Sequence, residues 1–157
     1  MEKQDLLQPI IEQVLNDIDF VDKLKSLSTR YDTVDEAYNY KSGDIIETCS
    51  NFDVVVRESK GEQFFSEYGN ENGLEFRFGF TIQYNLIDFE FAVKSEKHEI
   101  HSGGSWVLLA QLMINFQDKI NLPGFSNQQN LIELLSSALM LYRLLKKEVI
   151  SKVTANK

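Results

Sequence analysis

Residues 74–84 read Leu-Glu-Phe-Arg-Phe-Gly-Phe-Thr-Ile-Gln-Tyr, apolar at every even position and charged, small or polar at the odd positions up to 83. A two-residue period of this kind belongs to a strand with one buried and one wet face. Residues 87–94 repeat it, with Ile87, Phe89, Phe91 and Val93 alternating with Asp88, Glu90, Ala92 and Lys94. Two neighbouring strands therefore share one aromatic face, and the rest of the chain must cover it. A tight turn at Asn85 and Leu86 would pair residues whose numbers sum to 171, setting Ile82 opposite Phe89 and Phe80 opposite Phe91 on a single side. Burying about six of these side chains at roughly 1.5–3 kcal/mol each contributes on the order of 10 kcal/mol before chain entropy is counted.

Helical patterns lie on both sides of this hairpin. Leu7, Ile11, Val14, Ile18, Val21, Leu24 and Leu27 recur at steps of three and four, which predicts an amphipathic helix over 6–27 that becomes regular at Gln8 or Pro9. Residues 28–43 lack a period and read as a connection with one short helical turn near Val34 to Tyr38. Its tyrosines, Tyr31, Tyr38 and Tyr40, are unusual for a loop and are expected at the edge of the core. The β region is expected to begin near Asp44, with strand-like runs at Ile45 and Ile46, at Phe52 to Val56, and at Phe64 and Phe65, before a Gly69-to-Gly73 turn. Nine of the eleven residues from Trp106 to Phe116 are apolar, as in a helix buried nearly all round. Ser126 and Gln129 suggest a capping box for a last helix running to about Val153. That helix carries a main apolar stripe from Leu131 to Val153 and a second row at Ile132, Leu139, Met140 and Leu144. The second row packs on the other helix or forms a homodimer surface. The expected fold is one α+β domain: an N-terminal helix, an antiparallel meander of four or five strands, and two C-terminal helices on the aromatic face.

Composition narrows the function. At 157 residues the chain can bury a core without staples, and Cys49, its single cysteine, allows no internal disulfide. The opening residues show no basic segment followed by an apolar one, and no apolar run reaches spanning length, so a cytoplasmic protein without membrane association is expected. The net charge of −8 is uneven. Residues 1–78 hold 17 Asp plus Glu against 8 Lys plus Arg, whereas residues 79–157 hold 7 against 8. An acidic half repels nucleic acid and attracts a basic protein, although acidity also serves plain solubility.

No residue pattern forms a catalytic or cofactor motif, and no metal or cofactor is expected. His98 and His101 are three apart, not the four that a helical zinc pair requires. Ser102-Gly103-Gly104-Ser105 before a helix resembles a small anion cradle, but a strand-to-helix turn with Ser105 as N-cap accounts for it. In the register above, Gly79 faces Ala92 and leaves a shallow notch flanked by Thr81 and Glu90. The leading expectation is a non-catalytic binding module for a basic protein, in the general style of immunity proteins or secretion chaperones. Its candidate contacts are Asp17, Asp19 and Asp22 on the first helix and Glu75, Arg77, Thr81, Asp88 and Glu90 on the polar sheet face. The alternative is an apolar ligand pocket between sheet and helices, lined by Phe78, Phe80, Phe91, Trp106 and Met113.

Overall fold

The computed structural model describes residues 7–60 and 62–155. Leu6, where the first helical pattern opens, and the residues before it lie outside that range. Among the described residues, five helices and six antiparallel strands follow one another as α1 (Pro9–Asp17), α2 (Phe20–Arg30), α3 (Ser42–Ser50), β1 (Val56–Ser59), β2 (Gln63–Ser66), β3 (Gly69–Glu71), β4 (Leu74–Gln83), β5 (Leu86–Ser95), β6 (Ile100–Ser105), α4 (Trp106–Met113) and α5 (Gln128–Ala155). The sheet order is β1-β2-β4-β5-β6, and β3 pairs the other half of β4. No helix among the described residues is long and apolar enough to cross a membrane.

The hairpin forms as the alternation requires, but its register differs from the expected one by two. Phe76 pairs with Val93, Phe78 with Phe91, Phe80 with Phe89 and Ile82 with Ile87, and the turn is Tyr84 and Asn85. Both turn residues have positive φ (55° and 59°), as in the type I′ turn that suits the right-handed twist of a two-residue hairpin. Because the slip is even, no side chain changes face. Phe78, Phe80, Phe89 and Phe91 are at most 2% exposed. Tyr142 of α5 stacks on Phe78 at 4.8 Å, and Trp106 of α4 lies 5.1 Å from Phe89, so the two C-terminal helices cover the aromatic face. α1, α2 and α3 all pack against α5, with α2 also on α4, which leaves the other sheet face open.

Several expectations at the edges of this core are corrected. The first helix is two, because Asp19 sits at φ 55° and breaks it. The bend turns Phe20 inward in place of Val21 and brings its ring edge-on to Trp106 at 5.6 Å. Ile45 and Ile46 lie in α3, not a strand. Ile45, Thr48 and Cys49 form its buried face at helical spacing, which outweighs the β-preference of two adjacent isoleucines. Ser102 to Ser105 belong to β6, which runs straight into α4, itself shorter than expected and ending at Met113. Ser105 is the N-cap as read, its hydroxyl accepting from the Leu108 amide. For α5 the cap is Asn127, whose side-chain oxygen accepts from the Asn130 amide, and Ser126 bonds Asn130 instead.

Asn85 fastens the hairpin turn to two distant loops. Its side chain is buried and donates to the backbone oxygens of Asp35 (2.8 Å) and Tyr38 (2.9 Å). Its own carbonyl accepts from Phe125, while Ile87 donates to Pro123 and Gly124 to Tyr31. Tyr31 is buried and Tyr38 and Tyr40 pack against the core, as the loop tyrosines suggested.

The glycines of β6 have a packing purpose. A Cβ on Gly103, at φ 147°, would lie 2.2 Å from the Phe91 carbonyl oxygen and 2.7 Å from the Ala92 Cα. Gly103→Ala therefore forces β5 and β6 apart and is expected to cost about 2–4 kcal/mol in urea unfolding. A Gly104→Ala control, with no atom within 4 Å of its added carbon, should lose less. Equal losses would contradict the close-approach account.

Candidate functional site

The eight candidate partner contacts fall on two separate surfaces. Glu75, Arg77, Thr81, Asp88 and Glu90 share the open sheet face, as their alternation demands. Asp17, Asp19 and Asp22 are exposed in the helical layer, where Asp17 pairs with Lys152 of α5. No single partner footprint made only of these residues follows from the geometry.

On the open face the charges are internally engaged. The Arg77 guanidinium lies 4.7 Å from the Phe65 ring, and the Lys94 ammonium 3.8 Å from that of Tyr68, within the range of cation–π attraction. Gly79 faces Glu90, not Ala92, and Ala92 pairs with Arg77 on one side and Gly103 on the other. A Cβ on Gly79 would meet the Glu90 carboxylate at 3.0 Å, so the expected notch is occupied by that side chain. Asp88 accepts a 2.7 Å hydrogen bond from the Ser105 hydroxyl, which couples the N-cap of α4 to the sheet.

The five residues of the pocket alternative lie in the interior or at its edge. Phe78, Phe80, Phe91 and Trp106 are at most 2% exposed, and Met113 is partly buried against them. Phe78 contacts Phe80, Phe89, Trp106 and Tyr142 at ring separations of 4.8 to 6.1 Å. Trp106 Nε1 and the Tyr31 hydroxyl are buried without a hydrogen-bond partner among the described residues. Burial pushes the Cys49 thiol up to about 12, which keeps it protonated and unreactive near neutral pH. His98 lies in the turn before β6 and His101 on β6, and no group of three His, Cys, Asp or Glu among the described residues could hold a metal ion.

Sequence reasoning missed a cleft of about 620 Å³ at the hairpin turn. Three segments meet there. The 36–42 loop brings Glu36, Tyr38 and Tyr40, the end of β1 and the connection after it bring Glu58 and Glu62, and the β4–β5 turn brings Tyr84. Among the described residues lining it there is no Lys, Arg or His. Tyr40 is held by burial first and by Glu62 and Glu58 next, which together push its hydroxyl up to about 12. Burial and the Asp44 charge raise Tyr38 in the same direction. Tyr84 is 68% exposed, a large ring offered to solvent. Asn85 positions the loop, since its amide bonds grip Asp35 and Tyr38 on either side of Glu36. The one sequence signal was the tyrosine-rich polar loop itself. Its convergence with Glu58 and Glu62 depends on tertiary folding.

No family model matches the chain, and the comparisons with curated proteins and with solved structures give no match.

Asp88 supplies a pH test. Burial holds its carboxyl above the ordinary range, with the Ser105 bond opposing that shift. The folded state thus binds this proton more tightly than the unfolded chain, so the contribution favours folding below about pH 4 and is lost as pH rises through the raised folded value. Asp88→Asn keeps an acceptor for Ser105 and removes the charge. In urea titrations at several pH values the variant should lose less stability than wild type between acid and neutral pH; parallel profiles would contradict the burial account.

Proposed function

We propose that the protein is a non-catalytic cytosolic binding module that engages a basic protein through the acidic tyrosine cleft between the 36–42 loop, the β1–β2 connection and the Tyr84–Asn85 turn. The observation that carries this reading is the lining: three carboxylates and three tyrosines, with no Lys, Arg or His among the described residues that line the cleft. Tyrosine gives a large contact area with a polar tip and little rotamer entropy to lose, which is why it recurs at binding hot spots. Uncompensated carboxylates steer a cationic partner and then pair with it. The excess of acid in residues 1–78 adds a long-range field of the same sign. Inhibition or chaperoning of a basic protein is the activity class that fits such a surface. The apolar-pocket alternative has less support, because its side chains fill the space between sheet and helices with one another.

The test compares two double charge reversals of equal size, Glu36→Lys with Glu58→Lys, and Asp17→Lys with Asp22→Lys, using a partner captured from lysate and identified by mass spectrometry. Binding should weaken with salt. The cleft variant should lose it by about a hundredfold, on the scale of two charge-assisted contacts, while the helix variant changes it only a few-fold. Equal losses in both variants would reduce the effect to net charge and overturn the cleft assignment.

A further inference from the structure

The inner stripe of α5, from Leu131 to Val153, is consumed by the core. Of the expected second row, Leu139 is buried, while Met140 and Leu144 lie on an outer row that runs at alternating steps of four and three through Glu133, Ser137, Met140, Leu144, Lys147 and Ser151. Met140 is 62% exposed and Leu144 37%, and no helical apolar side chain among the described residues is more exposed than Met140. Beside them, Leu27 of α2 and Leu141 floor an apolar groove of about 460 Å³ between the two helices. The 4-3 spacing is the one that keeps a single seam facing a partner helix.

We propose that this seam binds a second copy of the same chain, the two α5 helices running antiparallel about a two-fold axis at Met140. The occupant follows from the charges and sizes along the row. Glu133 lies seven residues before Met140 and Lys147 seven after it, about 10 Å on each side along the helix axis. An antiparallel pair therefore sets Glu133 of each copy against Lys147 of the other, twice, whereas a parallel pair would set like charges together. Within 4.0 Å, Lys147 has no carboxylate partner among the described residues, while its neighbours Lys146 and Lys152 are paired inside the chain with Glu71 and Asp17. The same symmetry sets Leu144, four residues after the axis, over Ser136, four residues before it, so that a large side chain meets a small one. Antiparallel helix dipoles also oppose favourably. This surface lies on the helical layer and does not depend on the tyrosine cleft.

Sedimentation velocity across a concentration series tests it with wild type, Glu133→Lys, Lys147→Glu and the double variant. Wild type should dimerise, each single reversal should weaken the dimer by about tenfold or more, and the double reversal should restore it. In a second measurement, M140C places one thiol from each copy at the axis, and mild oxidation should give a disulfide-linked dimer. Cys49 is buried and does not compete. A wild type that stays monomeric up to roughly millimolar concentration would overturn the proposal, as would a dimer indifferent to both reversals or an M140C variant that does not cross-link.

Discussion

The fold hangs on the buried side chain of Asn85. A two-residue turn with positive φ at both positions sets the register of β4 and β5, and Asn is one of the few residues that tolerates such a conformation. The same residue satisfies two backbone carbonyls of the 31–40 loop and accepts from Phe125. One residue thereby aligns the aromatic face through its backbone conformation, anchors the loop before α3 through its side chain and holds the segment that leads into α5 through its carbonyl. Gly124 fits beside it because any Cβ there would lie 2.5 Å from Val34 and 2.8 Å from the Asn85 carbonyl. Losing the amide takes away the donor to the Tyr38 carbonyl and leaves the Asp35 carbonyl with the Tyr38 amide alone, a larger cost than a surface hydrogen bond.

From this point the layers follow. The aligned hairpin presents Phe78, Phe80, Phe89 and Phe91 together, and Trp106 and Tyr142 close over them. The outer strands then need protection. At the β6 edge the Gln8 side chain accepts from the His101 amide and donates to the Glu99 carbonyl, occupying backbone groups that would otherwise template another strand. The tyrosine cleft forms at the end of the hairpin where the loop is tethered, so its shape is a consequence of the turn.

The strands that alternate were legible, because a period of two survives an error in the turn. Moving the turn from Asn85–Leu86 to Tyr84–Asn85 shifts every partner by two and flips no face, yet it replaces the Gly79–Ala92 pair by Gly79–Glu90. Faces are therefore readable from sequence, and neighbours across strands are not. Ile45 and Ile46 misled because local β-preference is weak against a buried i, i+3, i+4 face. Asp19 misled because nothing in an amphipathic stripe marks one αL residue; the clue was that Phe20, a larger apolar group, lay just off the expected stripe. The acidic cleft needed Glu36 and Glu58, twenty-two residues apart, to meet. Local patterns carry no information on such a meeting.

Hydrogen exchange on Asn85→Ala tests this account most directly. If Asn85 ties the loops to the hairpin, exchange should accelerate at the Tyr38, Gly124, Phe125 and Ile87 amides, while the amides in the middle of β4 and β5 keep their protection until global unfolding. Unchanged protection at those four amides, or a uniform loss across the whole sheet, would contradict the central place given to Asn85.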